Sequence, residues 1–91
     1  MKNLYGNISI SKQIEQGNKE IYEKINYYKV KEEKYGIEIE KKYDNDKVEK
    51  TNRIDITDNE NEINCILDTL VYKQVMPCDS DVIEDLVKKY T

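Results

Sequence analysis

Residues 35–77 read YGIEIEKKYDNDKVEKTNRIDITDNENEINCILDTLVYKQVMP, and the hydrophobic period changes partway along them. Over Tyr35, Ile37, Ile39, Lys41 and Tyr43 every second residue is bulky, while Glu38, Glu40 and Lys42 point the other way. That spacing predicts a strand with one covered and one wet face. Asp44-Asn45-Asp46-Lys47 is a turn signal. Alternation resumes over Val48 to Thr57, with Ile54 and Ile56 on one side and Arg53 and Asp55 on the other, so the two runs form a hairpin. From Thr57 onward the period becomes helical. Thr57-Asp58-Asn59-Glu60 fits a capping box, and Ile63, Ile66, Leu67, Leu70, Val71 and Gln74 recur at i, i+3, i+4, i+7, i+8 and i+11. Val75 and Met76 continue the apolar side until Pro77 stops the helix.

Working outward from that stretch, a second helix start follows at once. Asp79 or Ser80 can cap, Asp81 suits the first turn, and Val82, Ile83, Leu86, Val87 and Tyr90 repeat at helical spacing. Upstream, Tyr27, Tyr28 and Val30 lead through Lys31-Glu32-Glu33-Lys34 into Tyr35, which indicates another antiparallel turn. Ile8 and Ile10, beside Gly6, suit a first strand closed by a turn near Gly17-Asn18. Residues 19–28 fit either period; their Tyr, Ile and Val content favours a strand. The expected fold is α+β: an antiparallel meander of three to four strands followed by two C-terminal helices packed on one face of the sheet. The chain of 91 residues is read as a single domain, 1–91, with no linker or repeat.

Composition narrows the chemistry. There is no His, so ordinary acid/base work near neutrality has no unperturbed side chain to use, and Ser-His-Asp or Cys-His nucleophile systems are excluded from this chain alone. Heavy use of Lys, Asn, Ile, Tyr and Glu beside scarce Ala, Arg, Pro and Trp reads as the imprint of an AT-rich genome. Cys65 and Cys78 make no zinc site on their own. With no secretory segment and no apolar run long enough to span a bilayer, a cytoplasmic setting with reduced thiols is expected, and no membrane association. Cys65, beside the apolar stripe, reads as a half-buried small hydrophobe; Cys78 reads as more exposed.

Charge is uneven along the chain. Residues 1–53 carry 12 basic and 10 acidic side chains, net +2, whereas residues 54–91 carry 3 and 9, net −6. That balance argues against direct nucleic-acid binding. Asp79, Asp81, Glu84 and Asp85 form an acidic cluster; helix-start complementarity accounts for the first two, and Glu84 and Asp85 are left to solvent or a basic partner. Among the eight Tyr, Tyr28 and Tyr43 are the interface candidates, although packing of the sheet accounts for half or more of the set. Asp44 and Asp46 lack the glycine and the final glutamate of a calcium loop. Glu38 and Glu40 resemble a catalytic carboxylate pair, but Lys42 and Arg53 nearby make ordinary cross-strand charge pairing the better reading. Gly36 has no companion glycines for a phosphate loop. No cofactor and no metal is expected.

Tyr27-Tyr28-Lys29-Val30, Tyr35-Gly36-Ile37-Glu38-Ile39, and the helix ending Val75-Met76-Pro77 followed by Val82-Ile83-Glu84-Asp85 together resemble a small protein family of low-GC Gram-positive bacteria that carries no assigned function. The resemblance runs over about residues 27–87. It implies a cytoplasmic bacterial or phage context and transfers no catalytic residue. The function expected is a non-enzymatic protein-binding module for a partner with a basic surface: a small bacterial regulator, or a phage-encoded inhibitor of a host system such as an anti-CRISPR protein, with an acidic end that mimics nucleic acid. The alternative is a small-ligand-binding domain with a Tyr-lined pocket at the interface of a homo-oligomer.

Overall fold

The computed structural model describes residues 1–14, 19–43 and 46–91; the turn near Gly17-Asn18, Asp44 and Asn45 lie outside the described residues, as do the side chains of residues 11–22. Four strands, β1 (Lys2–Ile14), β2 (Lys19–Lys31), β3 (Tyr35–Tyr43) and β4 (Val48–Thr57), form one sheet in the order β1-β2-β3-β4, every pair antiparallel. Two helices follow, α1 (Glu60–Tyr72) and α2 (Ser80–Tyr90). The expected meander and helix pair are present, and residues 19–28 belong to a strand.

Register explains the core. Tyr27 stands opposite Ile39 and Lys29 opposite Ile37, so Ile25, Tyr27, Ile37 and Ile39 share one face. Ile63, Ile66, Leu67 and Leu70 of α1 close over that face, and all of these side chains are at most 1% exposed. α1 lies against all four strands, and α2 packs mainly on α1 through Ile83 and Leu86. Burying each of these aliphatic side chains stabilises the fold by roughly 1.5–3 kcal/mol. Val71 and Val87, also on the predicted stripes, are partly buried against the same core.

The ends of the helices differ from the sequence reading. Thr57 is not the cap of α1, because it is still paired with Tyr35 in the sheet. Asn59 caps instead, its Oδ1 accepting from the amides of Asn61 at 2.9 Å and Glu62 at 3.3 Å. Glu62, not Glu60, reaches back, accepting from the Thr57 hydroxyl at 3.1 Å. α1 also stops short of Pro77. Gln74 takes a left-handed conformation (φ 53), its amide donates to Val71 O, and the Val75 amide donates to Leu70 O. These are the two bonds of a Schellman motif, formed here without glycine. Val75 and Met76 therefore lie beyond the helix, yet Val75 is buried as the hydrophobic contact of that motif. Asp79 stands at the start of α2, but its carboxylate makes no bond to the helix; it accepts from the Met76 amide at 2.9 Å and closes the connection.

Two bulges bend the sheet. One sits at Tyr5-Gly6 in β1. The other places extra residues of β4 between the pairs Tyr35–Thr57 and Ile37–Arg53, with Asp55 left-handed at φ 52. It breaks the alternation of β4, so Ile54 and Ile56 do not share a face: Ile56 packs on the core, and Ile54 is 57% exposed. Gly36 faces this bulge so closely that a Cβ would lie 2.8 Å from Ile54 Cα. Cys65, expected to be half-buried, is exposed because its position on α1 falls outside the inward stripe; Cys78 is exposed as well, and both are free thiols. Val82 is likewise more exposed, at 39%, than a stripe residue should be.

Three substitutions test this packing by denaturant unfolding. Leu70→Ala should lower stability by about 2–5 kcal/mol, and Gly36→Ala by about 1–3 kcal/mol because the neighbour is backbone and cannot move aside. Gln74→Gly should raise stability by about 1 kcal/mol, the left-handed cost of a side chain being removed.

Candidate functional site

The sheet has a covered face and an open face, and the open face is charged. Lys2, Tyr28, Glu38, Asn26, Glu40, Lys24, Lys42 and Lys50 alternate onto it. Glu40 is only 6% exposed although no helix covers it. Its carboxylate accepts from Asn26 Nδ2 at 3.2 Å and the Tyr28 hydroxyl at 3.4 Å, with Lys50 at 3.4 Å and Lys42 at 3.7 Å. Burial works against its ionisation, but the bond from Asn26 and the two lysines outweigh burial and hold its pKa below the ordinary carboxylate range. Glu38 pairs with Lys2 at 2.8 Å, and the Lys2 amine lies 4.5 Å from the centre of the Tyr28 ring. A general acid needs a raised carboxyl, and that of Glu40 is lowered. Lys50 of β4, directly opposite Glu40, is its cross-strand cation; Lys42, expected to pair across strands, pairs with Glu40 along β3 itself. Arg53, expected to join it, instead faces the helices and donates to Glu84 of α2 at 2.5 Å.

The interface candidates from the sequence fall in three places. Tyr28 belongs to the open face. Tyr43 closes β3 between the amines of Lys41 and Lys47, 4.8 and 5.8 Å from its ring centre. The acidic cluster lies on the helical side, and two of its members have structural duties: Asp79 closes the connection to Met76, and Glu84 holds Arg53. Asp81, in the first turn of α2, and Asp85, one turn on, are exposed and make no ion pair among the described residues. The charge asymmetry along the sequence thus becomes an asymmetry across the molecule. Residues 58–91 hold 8 acidic and 3 basic side chains in the helical layer, whereas among the described side chains the open face carries Lys2, Lys24, Lys42 and Lys50 against Glu38 and Glu40.

A third feature was not singled out from the sequence. Past the N-terminal end of α1 the covered face continues as a cleft of about 320 Å³, lined by Asn3 and Tyr5 of β1, Lys29 and Lys31 of β2, Tyr35 of β3, and Glu60. The Lys29 amine lies 5.7 Å from the Tyr5 ring centre and 6.0 Å from that of Tyr35, and 3.8 Å from Glu60. Lys31 sits 4.3 Å from the Tyr35 ring centre. The available signal was that the apolar face of β2 turns cationic at Lys29 and Lys31 while keeping its period of two. Among the described residues no group of three or more His, Cys, Asp or Glu is placed to hold a metal ion. No helix among them is long and apolar enough to cross a membrane.

Two phenols are set apart from the rest. A 2.5 Å hydrogen bond to Asp68, aided by burial, pushes Tyr5 up to about 12. Burial, with Asp79 nearby, pushes Tyr27 up to about 12, and its hydroxyl donates to Val75 O at 2.8 Å. A raised folded value gives stability that is complete below the ordinary 10.0 and lost as pH rises through about 12. A phenolate absorbance titration should therefore show Tyr5 and Tyr27 ionising last, together with unfolding. Tyr27→Phe should shrink the stability lost above pH 10 while lowering neutral stability by about 1–3 kcal/mol for the orphaned carbonyl.

No curated protein and no solved structure matches this chain. A family described as "Family of unknown function (DUF6514)" matches residues 18–89, which takes in β2, β3, β4 and α1, nearly all of α2, and leaves β1 outside. The chain belongs to that family of unknown function, DUF6514.

Proposed function

We propose that this chain is a non-enzymatic protein-binding module that meets a basic surface on its partner through the outer side of the helical layer, in the manner of a small bacterial regulator or a phage-encoded inhibitor. The observation that supports it is charge segregation: residues 58–91, the helical layer, hold 8 of the 19 acidic side chains of the chain and only 3 basic ones, while Lys2, Lys24, Lys42 and Lys50 stand on the opposite face. Such a layer suits a groove that otherwise holds nucleic-acid phosphates, and the same acids keep the chain itself off nucleic acid. Asp81 and Asp85 are the contact residues of this reading, with the exposed Val82 between them as the apolar contact. Glu84 and Asp79, though part of the same cluster, serve the fold first.

Capture of a partner from the source cells, followed by association kinetics at two salt concentrations, tests the reading. Opposite charges at an interface rim act mainly on encounter, over a Debye length of about 8 Å at physiological salt. Asp81→Asn with Asp85→Asn should slow association by about tenfold and flatten its salt dependence, while costing only the roughly 0.3–1 kcal/mol that an acid in the first turn of α2 contributes. An association rate of the parent protein that ignores salt would overturn the proposal.

A further inference from the structure

We propose that the cleft between Tyr5, Lys29, Lys31 and Tyr35 binds a small organic anion, a planar ring carrying one carboxylate or one phosphate. This site is separate from the acidic outer side of α2. It exists because α1 begins only at Glu60, so the covered face of β1, β2 and β3 runs on past the helical layer with nothing above it. At about 320 Å³ the cleft is large enough for a one-ring ligand; small-molecule sites start at roughly 300 Å³.

Its electrostatics favour an anion. The Lys29 side chain is only 20% exposed, yet its nearest carboxylate, Glu60, stands off at 3.8 Å and is itself 56% exposed. With its stem largely covered and so loose a partner, the ammonium is held in place and open to a second negative group. Lys31 and the N-terminal ammonium of Met1 add positive charge at the rim, so the lining is net positive against the single carboxylate of Glu60. That balance suits a single anionic group. A polyanion such as nucleic acid would meet the acidic helical layer beside it.

The walls favour a ring. Tyr5 and Tyr35 flank the Lys29 amine; the Tyr5 hydroxyl is already engaged by Asp68, and the Glu60 carboxylate beside Tyr35 raises its phenol above the ordinary value. The bond to Asp68 holds the Tyr5 ring in place before a ligand arrives, and both phenols are neutral near pH 7 as tyrosines ordinarily are, so neither repels an anion. Asn3, directly across from Lys29 in the sheet, offers an amide to the polar end of the ligand.

The test is an amide-shift titration of the full chain with benzoate, phenyl phosphate and the uncharged benzyl alcohol. At least one of the two anions should saturate the amides of Asn3, Lys29, Lys31 and Tyr35 with a Kd of about 1 mM or tighter, and benzyl alcohol should bind at least about tenfold more weakly. Lys29→Gln should weaken the anion by about tenfold or more, whereas Lys24→Gln, on the open face, should leave it unchanged. Should Lys29→Gln fail to fold, the exposed Lys31→Gln takes its place with the same expectation. No saturation by either anion below about 10 mM, equal binding of the alcohol, or an equal loss from Lys24→Gln would overturn the site. Asp81→Asn with Asp85→Asn should not alter these titrations, so failure here leaves the acidic layer untouched, and the reverse also holds.

Discussion

The hydrogen bond from the Tyr27 hydroxyl to Val75 O fixes where the connection between the two helices sits on the sheet. Tyr27 is fully buried at the centre of β2, and Val75 is the first buried residue after α1. A hydrogen bond of this kind adds only about 1 kcal/mol net, but a buried carbonyl left alone costs about 1–3 kcal/mol, so the connection between the helices has one good position. Val75 is fixed twice, since its amide also closes the end of α1 on Leu70 O. With Val75 in place, the Met76–Asp79 turn sets the direction of α2. Arg53 then ties α2 to β4 through Glu84, a half-exposed pair worth about 0.2–1 kcal/mol, enough to select an orientation and too little to hold the helix without Ile83 and Leu86.

A mismatch of lengths follows. The 13 residues of β2 extend about 43 Å, whereas the 13 residues of α1 extend about 20 Å. The helical layer cannot cover the sheet, and the molecule is elongated, 49 Å by 24 Å by 17 Å. The covered face answers by changing its side chains where cover ends. Toward one end of the sheet, Lys41 pairs with Glu23 at 3.4 Å. Toward the other, Ile25 and Tyr27 give way to Lys29 and Lys31, and the cleft opens.

What the sequence displays well is the change of period at Thr57, because each period reports which face of an element is buried, and the sheet and both helices follow from it. The failures share a cause. Thr57 has the chemistry of a cap, but its pairing with Tyr35 decides that it stays in the strand, and this pairing is 22 residues away in the chain. Ile54 fits the alternation of β4 until Asp55 turns left-handed against Gly36. Glu40 reads as solvated because its cover comes from Tyr28, Lys42 and Lys50, polar side chains that no hydrophobic pattern registers. Glu84 reads as free because its partner Arg53 lies 31 residues upstream. The cleft is harder still, since it depends on where a helix stops relative to strands that no local window contains.

The limits of the family match, residues 18–89, separate fold from cleft. Every fully buried side chain named in the core, from Ile25 to Ile83, lies inside that segment. β1 lies outside it and adds partly buried residues, Tyr5, Ile8 and Ile10, against a core the other elements already close. Yet β1 supplies Asn3 and Tyr5, one wall of the cleft, and Tyr5 reaches over to Asp68 of α1. The strand that matters least to the core is therefore the one that shapes the cavity. Lys29, Lys31, Tyr35 and Glu60 belong to the shared segment, and they form a cationic, aromatic floor on their own. What β1 adds is enclosure: a second ring beside Lys29 and an amide opposite it, the two features that turn an open basic patch into a site with a shape.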